Sequence, residues 1–182
     1  MLKIRIQDWW AIPNLLCYVR IALIPVFINT YLNAKTSKDY YIATLVIILS
    51  GFTDFLDGKI ARRFNMITDL GKVLDPIADK LTQAALVFCL SLRYPLMIGL
   101  VLLFLVKEGY LGIMAIIYLR KGKSLDGAKW CGKVATFALY VIMIVLLMCP
   151  TMPLFLADTL IIVCAGFMLY ALISYMHYYA KM

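Results

Sequence analysis

Six apolar stretches divide the chain, at residues 12–32, 40–61, 72–92, 95–119, 130–148 and 153–175. Each is near the roughly 20 residues that a helix needs to cross a bilayer. In hydrocarbon a backbone must satisfy its own hydrogen bonds, so runs of this length are expected to be helices. The expected fold class is an all-α polytopic membrane protein, with six transmembrane helices and a short N-terminal interfacial segment over residues 1–11. In that segment Lys3, Arg5 and Asp8 are polar, while Ile4, Ile6, Trp9 and Trp10 suit the headgroup level. It has neither the uninterrupted apolar run nor the small-residue cleavage site of a signal peptide. Composition agrees: 64% of the 182 residues are hydrophobic and 15% charged, against roughly 45–50% and 25% in soluble domains. Connections are short and no repeat or linker intervenes, so residues 1–182 are expected to form a single domain.

The net charge of +8 would suggest nucleic-acid binding in a soluble chain. Here the basic residues crowd particular connections, and membrane topology accounts for them without a nucleic-acid partner. Lys3 and Arg5 lie in the tail, Lys59, Arg62, Arg63 and Lys72 around the second connection, and Arg120, Lys121, Lys123, Lys129 and Lys133 around the fourth. The other side has Lys35, Lys38 and Arg93. The positive-inside rule then puts both termini in the cytoplasm, as an even number of spans requires. The five cysteines, Cys17, Cys89, Cys131, Cys149 and Cys164, are scattered through apolar segments without a CxxC pair. They are expected to pack as small hydrophobes.

Against this background four aspartates stand out: Asp54, Asp57, Asp75 and Asp79. Carboxylates beside a bilayer are costly and are retained mainly where they do chemistry. Spacings of three and four residues put each pair on one helix face. Gly58 and Ala61 continue the first face and Gly71 precedes Asp75 by one turn. Small residues there allow close helix approach or leave room for a ligand. Four clustered carboxylates repel one another in a low dielectric and need cations. Hard oxygen ligands suit Mg²⁺, Mn²⁺ or Ca²⁺ rather than zinc, and His177, the only histidine, is far away in sequence. Four acids can hold two metals, and a two-metal site clamps the attacking and leaving oxygens of a phosphoryl-type displacement. Asp69 is expected to be a solvated loop or cap residue.

The full pattern, D-x-x-D-G-x-x-A-R-x₈-G-x-x-x-D-x-x-x-D, resembles the CDP-alcohol phosphotransferase signature at all eight defined positions: Asp54, Asp57, Gly58, Ala61, Arg62, Gly71, Asp75 and Asp79. The six-helix layout extends the resemblance over nearly the whole chain. The resemblance implies transfer of a substituted phosphate from a CDP-linked donor to an alcohol, releasing CMP. It implies two divalent cations, Mg²⁺ or Mn²⁺ before Ca²⁺, held by Asp54, Asp57, Asp75 and Asp79, with Asp79 also the catalytic base. CDP would be bound by Asp57, Gly58, Ala61, Arg62, Gly71 and Asp75, with Asn14 either reaching a phosphate or capping the first helix. The membrane setting and the DPIADK wording around Asp75 look like CDP-diacylglycerol users, whose donor keeps its acyl chains in the bilayer.

The opening IPNLLCYVRIALIPVF is similar to that of phosphatidylglycerophosphate synthases and related cardiolipin synthases. Acceptor binding then falls to Arg20, Lys107, Lys133 and Thr136. Arg20 lies inside a span, where a structural role requires an acidic partner. Lys107 and Glu108 form a basic–acidic pair like that of glycerophosphate-using relatives. The WCGKVAT element resembles the family's G-K-x-K-T through Gly132, Lys133 and Thr136, but Ala135 stands where the second lysine would be, and Ala115 stands where a further arginine would be. Arg120 and Lys123 are the basic residues available to substitute. Glycerol-3-phosphate is the first acceptor expected, followed by phosphatidylglycerol (giving cardiolipin) and inositol phosphate. The partners implied are CDP-diacylglycerol, a polyol-phosphate or lipid alcohol, membrane lipids and a second copy of the chain. The expected location is a cell membrane, bacterial, with the site facing the cytoplasm. A cation transporter is the rival class, and would spread acids along a path through several helices. A non-catalytic membrane scaffold would leave the eight-position pattern unexplained.

Overall fold

The computed structural model describes residues 9–64, 66–120 and 130–180. Lys3, Arg5 and the rest of residues 1–8, with Lys121, Lys123 and Lys129, lie outside the described residues. The architecture is all-helical: α1 (Ile12–Leu32), α2 (Ser37–Arg63), α3 (Gly71–Ser91), α4 (Met97–Arg120), α5 (Trp130–Met148) and α6 (Leu154–Ala180). Trp9 and Trp10 precede α1 in a short 3₁₀ turn and are exposed. Among the described residues five helices are long and apolar enough to span a bilayer, with mean hydropathy from 1.4 in α2 to 2.2 in α5 and α6. The exception is α3, whose first half carries Lys72, Asp75, Asp79 and Lys80.

Helix bounds differ from the apolar runs where hydropathy and hydrogen bonding separate. α2 starts at Ser37 instead of residue 40 because Thr36 and Asp39 form a capping box, with Asp39 Oδ2 accepting the Thr36 backbone N–H at 2.8 Å. α6 continues to Ala180, beyond the apolar run ending at residue 175. Hydropathy marks where hydrocarbon ends, whereas a helix persists as long as its backbone bonds do.

The chain forms two compact units, one built on α1, α2 and most of α3, the other on α4, most of α5 and α6. In the first, α1 packs along α2. Its buried residues recur at spacings of three, four or seven: Asn14, Cys17, Arg20, Phe27 and Tyr31 on α1, and Ala43, Ile47, Ser50 and Asp57 on α2. On α3 the face through Ala78, Thr82, Ala85, Leu86 and Cys89 is buried. In the second unit the same rhythm runs through Met97, Leu100, Phe104 and Lys107 on α4, and Ala157, Ile161, Cys164, Met168 and Tyr175 on α6. Tyr118 and Tyr179 pack 5.3 Å apart where α4 meets α6. The wide outer faces, including Phe52, Phe55, Leu102, Phe155 and Tyr170, are exposed apolar surface suited to lipid.

Candidate functional site

The buried stripes of α1, α2 and α3 carry polar residues at one end, so the periodicity that packs the helices also gathers the acids. Asp57 is 2% exposed, whereas the Asp54 and Asp75 side chains are about half exposed. The cluster therefore has a sealed floor and an open mouth. Asp54 lies within electrostatic reach of both Asp75 and Asp79. Asp79 accepts a hydrogen bond from Gln83 Nε2 at 3.0 Å, one turn further along α3.

Two α1 side chains reach into this group. Arg20, 2% exposed, is ion-paired through its terminal nitrogens with Asp54 and Asp57, and lies 4.0 Å from Asp75. It thus has the acidic partners that a structural role inside a span demands. One turn earlier on the same face, the Cys17 thiol donates to Asp75 Oδ1 at 2.7 Å and lies 3.6 Å from Asp57 Oδ2. Cys89 and Cys164 are buried small hydrophobes as expected, but Cys17 is not; it sits among carboxylates. Sequence reasoning missed it. The available signal was its three-residue spacing from Arg20, which puts both on one helix face.

One guanidinium shared by three carboxylates leaves them short of positive charge. Ligand atoms of Cys17, Asp57 and Asp75 all lie within 4.8 Å of one another, a separation that one ion with bonds of roughly 2.0–2.6 Å can bridge. The donor set is dominated by hard carboxylate oxygens with one thiol at the edge. The residues fit a divalent cation.

Asn14 does not cap α1. The helix begins at Ile12 with Ala11 as N-cap and Pro13 in its first turn, where the missing N–H costs nothing. Instead the buried Asn14 amide donates to Thr68 Oγ1 at 2.9 Å, and the same hydroxyl accepts the Gly71 N–H at 2.9 Å. A methyl group on Gly71 would lie 2.7 Å from Asn14 Oδ1 and 3.0 Å from Thr68 Oγ1. Only glycine allows this approach, so α1 grips the α2–α3 connection and fixes where α3 presents Asp75 and Asp79. Gly58 and Ala61 are half-buried on α2. Arg62 is exposed and its Nε donates to the Gly58 carbonyl at 2.9 Å. Asp69 pairs with Lys72 at 2.8 Å in the connection, outside the cluster.

The remaining acceptor candidates belong to the second unit. Lys107 is 3% exposed and its Nζ lies 2.7 Å from Glu108 Oε1. Lys133 is exposed, Thr136 half-buried and Ala135 buried within α5. Gly132 packs so tightly on Tyr175 of α6 that an added methyl would collide with its hydroxyl and meet its ring at 3.0 Å. That glycine serves helix packing. Arg120 ends α4, exposed; Lys123 lies outside the described residues.

The sequence profile of a family described as CDP-alcohol phosphatidyltransferase matches residues 10–174. The chain is 39% identical over 132 residues to a protein of Streptomyces coelicolor named cardiolipin synthase (CMP-forming), covering 71% of this chain and 61% of that one. It is 45% identical over 80 residues to a CDP-diacylglycerol--glycerol-3-phosphate 3-phosphatidyltransferase of Rickettsia bellii, 43% of each chain. A fusion protein of Schizosaccharomyces pombe, named cardiolipin synthase (CMP-forming) / mitochondrial hydrolase, is 34% identical over 133 residues, 73% of this chain and 21% of its own length. The matched stretches thus span less than two thirds of each relative.

Proposed function

The chain belongs to the CDP-alcohol phosphatidyltransferase family, and from that premise we infer that it transfers a phosphatidyl group from CDP-diacylglycerol to an alcohol acceptor, releasing CMP. The observation that carries this reading is the convergence of Asp54, Asp57, Asp75 and Asp79 at one end of α2 and α3, half open and short of positive charge. A transporter would instead need acids strung along a path.

Asp54, Asp57, Asp75 and Asp79 would hold two divalent cations, Mg²⁺ or Mn²⁺. Bound there, these would neutralise the donor's pyrophosphate and polarise the acceptor hydroxyl. Asp79 accepts the proton of the acceptor hydroxyl. The acceptor oxygen then bonds to the phosphorus carrying diacylglycerol, and the bond from that phosphorus to the CMP oxygen breaks. Gly58, Ala61 and Gly71 leave space for the nucleotide along α2 and at the start of α3. Arg62, exposed and already turned back over Gly58, offers donors to a phosphate. Asn14 serves CDP binding indirectly, by holding the connection through Thr68.

Glycerol-3-phosphate is the first acceptor, with Lys107, Lys133 and Thr136 as its candidate contacts. Phosphatidylglycerol is a second reading, favoured by the buried Ala135 where a lysine would hold a small anion, and by relatives named cardiolipin synthase. The enzyme would work as a homodimer in a bacterial cell membrane, with the aspartates facing the cytoplasm, where positive charge gathers around Arg62 and Arg63.

The test is CMP release by purified protein given CDP-diacylglycerol and a panel of acceptors. Release should require a divalent cation, stop on chelation and depend on the acceptor. No release with any acceptor would sink the reading. Lys107→Ala should weaken use of an anionic acceptor while leaving that of an uncharged alcohol intact.

A further inference from the structure

Arg20 is placed in an unusual way for a residue that recognises a phosphate. Such a guanidinium normally presents its fork of donors to open space. Here Arg20 is 2% exposed and its two terminal nitrogens are spent on Asp54 and Asp57, with Asp75 at 4.0 Å. Its Nε and Nη1 are buried without a hydrogen bond among the described residues, Nη1 being held to Asp54 as an ion pair alone. A buried donor without a partner is unfavourable. The guanidinium therefore stays because of the carboxylates' charge, at the expense of its own hydrogen bonds at Nε and Nη1. It also contacts the same oxygens that a divalent cation would need: Asp57 Oδ2 is engaged by Arg20 and lies 3.6 Å from the Cys17 thiol.

Two cations cannot hold the same carboxylate oxygens at full strength. A divalent ion has the greater charge and would gather Asp54, Asp57 and Asp75 together, whereas Arg20 spans them incompletely. We propose that Arg20 is the resident counter-ion of the carboxylate cluster, and that divalent-cation binding displaces its guanidinium from Asp54 and Asp57. Released, Arg20 has all its donors to offer to an oxyanion, so the site becomes receptive to an anionic ligand only once it is loaded. Arg20 is a positioning residue in this scheme: it keeps the acids together when unloaded and sets how tightly the cations bind. The inference rests on the reading that these aspartates hold divalent cations.

The experiment uses the purified full chain in detergent, without substrate. Mn²⁺ is titrated and its free concentration followed by electron paramagnetic resonance. In parallel, modification of Arg20 by phenylglyoxal is quantified by peptide mass spectrometry. Arg20→Gln should bind Mn²⁺ about tenfold or more tightly than wild type, within the range usual for coupled binding events. Arg20→Lys, which keeps the charge, should stay close to wild type. In wild type, labelling of Arg20 should rise as Mn²⁺ binds, tracking occupancy. Mn²⁺ binding no tighter in Arg20→Gln, or labelling unchanged by bound Mn²⁺, would overturn the inference while leaving the metal site standing. If Arg20→Gln does not fold, the labelling of wild type decides alone. A wild type that binds no Mn²⁺, and matches Asp57→Asn in that respect, would overturn the metal reading and the inference with it.

Discussion

Asn14, Arg20, Thr44, Ser50, Asp57, Thr82 and Gln83 are buried in the first unit, whereas in the second Lys107 is the buried polar side chain among the described residues. The units use the same three-and-four rhythm to pack helices, but α2 has a mean hydropathy of 1.4 against 2.1 to 2.2 for α4, α5 and α6. Among the described residues the second unit packs its helices almost wholly through apolar side chains. The polar load of the first is therefore an addition, held in part by pairings within the unit, while Arg20 Nε and Ser50 Oγ are buried without a hydrogen bond among the described residues. Arg20 answers three aspartates and Asn14 answers Thr68. On the proposed function, the difference separates residues that hold helices together from residues that hold a reaction.

The strongest way to break this comparison is Asp79→Asn. The variant keeps the shape and removes the proposed proton acceptor, a role worth roughly 10²–10⁴-fold in rate. CMP release should fall by that order with little change in thermal unfolding; equal activity would remove Asp79 as the base. Arg20→Ala comes next. It leaves Asp57 as a buried carboxylate without its cation, a loss of about 3–5 kcal/mol when one partner of a buried pair is removed. Thermal unfolding in detergent without divalent cations should show it, and adding Mn²⁺ should recover part.

A matched pair of glycines then sharpens the contrast. Gly71→Ala puts a methyl 2.7 Å from Asn14 Oδ1, and overpacking of this kind costs about 1–3 kcal/mol. It should lower both stability and CMP release, because it moves the start of α3 that carries Asp75. Asn14→Ala should relieve the clash, so the double variant should be more stable than the two single effects added together predict. Gly132→Ala drives a methyl into Tyr175 and should cost a similar 1–3 kcal/mol or so. Its effect on rate should stay small beside that of Gly71→Ala. The smallest effect belongs to Lys72→Ala: the Lys72–Asp69 pair is solvent-exposed at Lys72, and such pairs are worth about 0–1 kcal/mol.

Much of the fold was legible from the chain alone. The bounds of α1 coincide with its apolar run, because there the hydrophobic stretch and the helix end together. α2 began earlier and α6 ended later, for reasons of capping and backbone bonding that hydropathy does not encode. The aspartate pairs were legible for the same local reason: spacings of three and four settle which residues share a face of one helix. Cys17 was not, since a cysteine in an apolar run has the same local signature whether its neighbours turn out to be leucines or carboxylates. Of the two roles the sequence leaves open for Asn14, capping falls away, because its partner lies on another element.

By itself, then, the sequence determined the helices and the grouping of Asp54 with Asp57 and Asp75 with Asp79. The tertiary structure alone decided that Arg20 and Cys17 join those acids, and that Asn14 holds Thr68. These partners are 34 to 58 residues apart. Helical periodicity is a property of neighbouring residues in one segment. Which face meets which is settled only when side chains of different helices compete for the same buried space.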